Sequence, residues 1–157
     1  MSGENGGQVN GGQDGGQNVR TERQPQGRTR VLILDDEPIV CKRLKPAFQK
    51  AGYDVETFTD SGAALARVEE APFDIVITDL KMEGTDGLEF LKRVKARRPE
   101  TGVIVITGFA TLETARESFR EGAFDFVAKP FKLKDILDTV ARMQQGASKG
   151  TATGAGS

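Results

Sequence analysis

Histidine and tryptophan are absent from this 157-residue chain, and cysteine occurs once. Each absence closes a class of chemistry. Without histidine there is no Ser-His-Asp triad, no histidine general base and no His-ligated zinc. A single cysteine forms no intramolecular disulfide and builds no four-cysteine metal site. No apolar run approaches the ~18 residues that would span a bilayer, so no membrane association is expected. No apolar stretch follows Met1, so no signal peptide is read and a reducing, cytoplasmic setting is expected. Net charge is scarce too. The formal value is −1, and residues 28–145 hold 19 basic against 20 acidic side chains. That balance gives no bulk electrostatic grip on nucleic acid.

Glycine is plentiful overall but scarce in the middle. Of 19 glycines, eight lie in residues 1–27 and four in residues 146–157. Residues 1–27, rich in Gly, Gln and Asn, cannot bury enough apolar surface to offset their ordering entropy. They are expected to be a disordered tail, and residues 146–157 a flexible C-terminal tail. Residues 28–145 remain as one ordinary domain.

Within that domain two periods alternate. Val31 to Leu34, Val55 to Phe58, Ile75 to Ile77, Val103 to Ile106, and Phe126 to Ala128 are short runs rich in Val and Ile. Mostly uninterrupted by polar residues, they read as parallel strands covered on both faces. Helical spacing lies between and after them. It is clearest in Leu133, Ile136, Leu137, Val140 and Met143, and present in Val40, Leu44, Ala47, Phe48 and Ala51. Residues 61–70, 88–94 and 111–121 supply three more helices. Pro38 suits a first helical turn, Ser61 and Thr111 are read as caps, and Gly52 as a C-terminal stop. Pro46 falls inside the first helix, where a kink, or an end near Lys45 and a restart, is expected. Five strand-helix repeats predict an α/β fold. The expected form is a flavodoxin-like, doubly wound, five-stranded parallel sheet of order 2-1-3-4-5 with five helices.

Ligands of such sheets bind beyond the carboxyl ends of the strands. There the sequence puts Asp35 and Asp36 after strand 1, Asp79 at the end of strand 3, Thr107 after strand 4, and Lys129-Pro130 after strand 5. Each has a plain structural explanation by itself. Asp35-Asp36-Glu37 would favour a helix N-terminus, Asp79 and Thr107 would serve in turns, and Lys129 would be solvated. Four strands delivering polar groups to one edge point instead to a site. Three clustered carboxylates repel unless a cation joins them, and hard oxygen ligands suit Mg2+. The loop after strand 1 is acidic rather than Gly-rich, so it is no phosphate cradle. A carboxylate could attack a metal-bound phosphoryl group to give an acyl phosphate, with Lys129 and Thr107 stabilising the spread charge. Gly108 leaves room for an incoming donor.

The segments LILDDEP, IVITDLKMEGTDG, VIVITG and FVAKPF together resemble a response regulator receiver domain of bacterial two-component signalling, over residues 29 to about 145. ITGFATLETA and AFDFVAKPF are most similar to receivers of the nitrogen-regulation type. The resemblance implies that Asp79 is the phosphoacceptor. Asp36 would hold Mg2+ directly, Asp35 mainly through water, and the Lys81 backbone carbonyl would be a further ligand. Thr107 and Lys129 would contact the phosphoryl group, and Lys129-Pro130 would be cis. Phe126 stands where receivers carry a switch aromatic, and is otherwise a core aromatic. Glu83 departs from the proline common after DLKM. Lys81 and Phe109 occupy variable positions that tune dephosphorylation in similar domains. Cys41 is read as a small apolar filler.

The resemblance further implies a histidine kinase or histidine phosphotransfer protein as donor, since this chain has no histidine. It also implies a downstream protein target, and a monomer or phosphorylation-dependent homodimer. The face of helix 4, strand 5 and helix 5 would switch. No DNA-binding module is read after residue 145, so no direct contact with nucleic acid is expected. No enzyme activity is expected beyond self-catalysed phosphotransfer and autodephosphorylation. Two alternatives stay open. One is a receiver fold acting as a phosphorylation-independent binding module. The other is a Mg2+-dependent phosphatase, for which the adjacent Asp35-Asp36 pair lacks the Asp-x-Asp spacing.

Overall fold

The computed structural model describes residues 27–82 and 85–146. The two tails read from composition, and Glu83 and Gly84, lie essentially outside the described residues. Five strands form one parallel sheet: β1 (Arg30–Leu34), β2 (Asp54–Phe58), β3 (Ile75–Asp79), β4 (Gly102–Thr107) and β5 (Asp125–Ala128). Their order is β2-β1-β3-β4-β5, as the sequence pattern predicts. Five helices alternate with them: α1 (Pro38–Lys50), α2 (Ser61–Glu70), α3 (Gly87–Arg97), α4 (Leu112–Arg120) and α5 (Leu133–Gln145). Lys81–Met82 and Thr85–Asp86 pair as a short antiparallel ribbon between β3 and α3, an element the sequence reading does not contain.

Side chains alternate across each strand, so the sheet feeds two cores. Val31, Ile33, Ile75, Ile77, Ile104 and Ile106 pack against α1 and α5 through Leu44, Phe48, Ile136 and Val140. Leu32, Leu34, Val76, Val103 and Val105 pack against α2 and α3 through Ala64, Val68, Phe90, Leu91 and Val94. Burying each large aliphatic side chain contributes about 1.5–3 kcal/mol, and this two-sided burial explains the unbroken apolar runs. Among the described residues no helix is long and apolar enough to cross a membrane.

Two local expectations are narrowed or corrected. Of the two outcomes expected at Pro46, a kink or an end near Lys45, the end does not form: α1 runs through Pro46 as one helix. Pro46 is exposed, so water can satisfy the carbonyl it deprives of a partner. Ser61 is the first residue of α2 rather than its cap. Asp60 is the cap, its Oδ2 accepting the Ala63 N–H at 2.8 Å. Thr111 does cap α4, in a reciprocal box with Thr114. Gly52 follows α1 with φ +99°, a left-handed conformation that suits glycine.

Candidate functional site

The parallel sheet brings the carboxyl ends of β1, β3, β4 and β5 to one edge. The apolar alternation of β1 ends at Leu34, which leaves Asp35 fully buried, its N–H donating to the Phe58 carbonyl at 3.1 Å. Asp79 closes β3 and is 4% exposed. Asp36 stays half-buried at the rim. Single carboxylate oxygens of Asp35, Asp36 and Asp79 all lie within 4.8 Å of one another.

Gly87 makes the approach to Asp79 possible. Its N–H donates to the Leu80 carbonyl at 2.9 Å, and a Cβ built there would strike the Asp79 carbonyl oxygen and Leu80 backbone. α3 can therefore start directly behind the Asp79 loop only with glycine at this position. Asp86 caps that helix through the Leu88 N–H at 3.0 Å.

Lys129 enters from the end of β5. Its Nζ lies 3.0 Å from Asp79 Oδ2, 2.8 Å from Glu37 Oε1 and 2.9 Å from Asp35 Oδ2. It hydrogen-bonds to Glu37 and Asp79. With the fully buried Asp35 Oδ2 it forms an ion pair. Asp35 Oδ1 accepts the Glu37 N–H at 2.9 Å, and Asp79 Oδ1 accepts the Lys81 N–H at 3.2 Å.

The electrostatics follow from burial. Desolvation raises the pKa of Asp35, opposed by Lys129 and the Glu37 N–H, and the Asp79 charge raises it further. For Lys129, burial pulls downward, but Glu37, Asp35 and Asp79 overcome it and hold the ammonium above the usual lysine range. The nearby Cys41 thiol is pushed up by burial and by the Asp35 charge, as befits an inert filler.

Thr107 is fully buried at the end of β4. Its carbonyl accepts the Lys129 N–H at 2.8 Å, which ties the two strand ends together, and its Oγ1 accepts the Phe109 N–H at 3.0 Å. The Lys129-Pro130 peptide is cis. The Lys81 side chain turns outward, its Nζ 5.3 Å from the centre of the Phe109 ring. Phe126 stands apart from the polar cluster, half-buried against the α2/α3 core. A Cβ at Gly108 would meet nothing within 4 Å, so the mouth is open there. Asp36, Glu37, Asp79, Lys81, Gly108, Phe109 and Lys129 line a cleft of ≈ 270 Å³.

A larger groove of ≈ 470 Å³ lies at the opposite, amino ends of the strands. It holds no comparable carboxylate cluster, and its Asp74 already accepts the Arg30 N–H at 2.8 Å. Asp36, Asp79 and the Lys129 ammonium lie at the smaller cleft instead.

Glu37 is the participant that sequence reasoning missed. As part of an acidic run before a proline-started helix, it read as helix electrostatics. It occupies the N-cap position of α1 but makes no side-chain cap bond, and turns to Lys129 instead.

The donor set fits a hard divalent cation. Three carboxylates converge on one edge of the sheet, and within the cluster a single ammonium, that of Lys129, ion-pairs with Asp35 and Asp79. One ammonium leaves the three clustered carboxylates with excess negative charge, and hard oxygen ligands of this kind suit a divalent cation.

Comparison with known proteins agrees with this geometry. Residues 31–141 match the family model described as the response regulator receiver domain. The chain is 37% identical over 116 residues to the regulatory protein AtoC of Escherichia coli K12, covering 74% of this chain and 25% of AtoC. It is 33% identical over 112 residues to the DNA-binding transcriptional regulator NtrC of Salmonella typhimurium, covering 71% and 24%. The chain thus spans about a quarter of the length of these curated relatives. A CheY-like receiver domain protein of Methanospirillum hungatei superposes with a TM-score of 0.75 at 29% identity, covering 78% of this chain and 98% of that one. Sheet order, carboxylate cluster and family match converge: this chain belongs to the response regulator receiver domain family of two-component signalling.

Proposed function

We propose that this chain is a phosphoaccepting receiver with Asp79 as the acceptor. The observation that carries the reading is the contact of Asp79 Oδ2 with Lys129 Nζ at 3.0 Å, inside a triad of carboxylates whose oxygens lie within 4.8 Å of one another. Asp35, Asp36, Asp79 and the Lys81 carbonyl would hold Mg2+, which when bound supplies positive charge beside the phosphoryl oxygens. An Asp79 carboxylate oxygen attacks phosphorus on a phosphohistidine. A P–O bond forms, the P–N bond breaks, and the imidazole nitrogen keeps the electron pair and takes a proton. The Lys129 ammonium and Thr107 hydroxyl stabilise the charge on the transferred group.

The phosphohistidine belongs to a histidine kinase or histidine phosphotransfer protein. Output follows from Thr107 moving toward the phosphoryl group and Phe126 repacking, which biases the face of α4, β5 and α5 toward a downstream protein. α4 already presents Leu112 and Phe119, which are 70% and 48% exposed. The balanced charge supports a protein target rather than direct contact with nucleic acid.

The test is intact mass after incubation with Mg2+ and a small acyl phosphate. The wild type gains one phosphoryl group and Asp79→Ala gains none. An undiminished adduct in Asp79→Ala would move the acceptor elsewhere.

A further inference from the structure

We infer that Glu37 is a positioning residue that holds Lys129 before phosphoryl transfer and is displaced from the ammonium by the arriving phosphoryl group. This rests on the reading of Asp79 as the acceptor and Lys129 as a contact of the transferred group.

The Lys129 ammonium has three N–H bonds, and three carboxylates already stand around it: Glu37 at 2.8 Å, Asp35 at 2.9 Å and Asp79 at 3.0 Å. A phosphoryl oxygen gains this cation only if one carboxylate gives it up. The three are not equally able to leave. The Asp35 side chain is 0% exposed and that of Asp79 6%, so either would be left as a buried charge without its partner. Glu37 is 58% exposed, and water can replace the ammonium there. Backbone N–H groups also hold the other two in place, that of Glu37 on Asp35 and that of Lys81 on Asp79. Glu37 lines the mouth of the cleft with Gly108 and Phe109, the opening through which a donor enters. It is therefore both the carboxylate in the donor's path and the one that leaves most readily.

Glu37 thus opposes formation of the acyl phosphate, because its pair with Lys129 must break as the phosphoryl group arrives. Once that group is on Asp79 the pair is already broken, so Glu37 has no hold on how fast the adduct is lost. Removing Glu37 quickens formation and leaves loss alone.

The experiment times the gain in intact mass with Mg2+ and a small acyl phosphate, then the decay after the donor is removed. An Asp79 oxygen forms the new P–O bond, the donor's P–O bond breaks, and the donor carboxylate leaves with the electron pair. Wild type, Glu37→Gln and Glu37→Asp are compared, with folding checked by circular dichroism. Glu37→Gln is expected to form the adduct several-fold faster than wild type and to lose it at the wild-type rate. Glu37→Asp keeps the charge but is one methylene short of the ammonium, so it should also form the adduct faster. Formation no faster than wild type in Glu37→Gln would overturn the inference. So would equal changes in formation and loss, which mark a disturbed site. Wild-type formation in Glu37→Asp beside fast Glu37→Gln would show a charge acting without contact, and would overturn it too. Each of these outcomes leaves Asp79 as the acceptor, whereas a wild type that gains no phosphoryl group removes that reading and the inference with it.

Discussion

Lys129 Nζ lies 3.0 Å from Asp79 Oδ2 across 50 positions of sequence. The contact exists because β3, β4 and β5 lie side by side and end at the same edge of the sheet. The same ammonium also faces Asp35 and Glu37, so one cation serves three carboxylates.

Removing that cation should therefore expose a cost. Lys129→Met leaves buried Asp35 and Asp79 without a counter-charge. It is expected to lower stability in metal-free buffer by roughly 1–3 kcal/mol, less than for a fully buried pair because the cleft is open to water. Mg2+ should restore more stability to this variant than it adds to wild type, because no ammonium competes for the carboxylates. Urea unfolding with chelator and with Mg2+ checks both. Equal Mg2+ stabilisation of the two proteins would contradict the shared use of the carboxylates.

Asp35 gives a pH dependence of definite sign. Burial raises its folded-state pKa above the unfolded value. The stability this group contributes is present below the unfolded pKa and is lost as pH rises through the raised one. At neutral pH its charge thus weighs against the metal-free fold. Asp35→Asn should be more stable than wild type at pH 7 without metal, with the difference shrinking as pH falls through that window. It should also lose Mg2+ affinity. Unfolding curves across acidic and neutral pH test the trend, and a difference that grows on acidification would contradict it.

Two glycines at the site should respond in opposite ways. A Cβ at Gly87 strikes the Asp79 carbonyl and Leu80 backbone, whereas a Cβ at Gly108 meets open space. Gly87→Ala is expected to cost about 1–3 kcal/mol through overpacking against backbone that cannot swing aside. Gly108→Ala should stay within about 0.5 kcal/mol of wild type. Denaturant midpoints measured side by side decide this, and equal effects would contradict the close approach of α3 to the Asp79 loop.

These contacts also show what the sequence could and could not reveal. Ile75-Val76-Ile77 reads as a central strand because both its faces are buried, and an unbroken apolar run records that directly. Asp35, Asp79, Thr107 and Lys129 read as neighbours because a parallel sheet puts all its carboxyl ends on one edge. The cap of α2 lies one residue before the Ser61 that the sequence suggests. Asp60 and Ser61 are both good caps, and only the bond from Ala63 N–H distinguishes them. Of the kink or end expected at Pro46, the end does not form, and that the residue faces solvent is a tertiary fact. The ribbon of Lys81–Met82 with Thr85–Asp86 is too short to carry a period. Glu37 is not legible from sequence because its partner is 92 positions away and its local setting, an acidic run at a helix start, explains it adequately.

The central claim is that Asp79 accepts a phosphoryl group at a metal-dependent site. Intact-mass measurement after incubation with a small acyl phosphate tests it most directly, on wild type with Mg2+, wild type with chelator, and Asp79→Ala with Mg2+. The account predicts one added phosphoryl group in the first sample and none in the other two. No adduct on the wild type with Mg2+, or an equal adduct on Asp79→Ala, would contradict it.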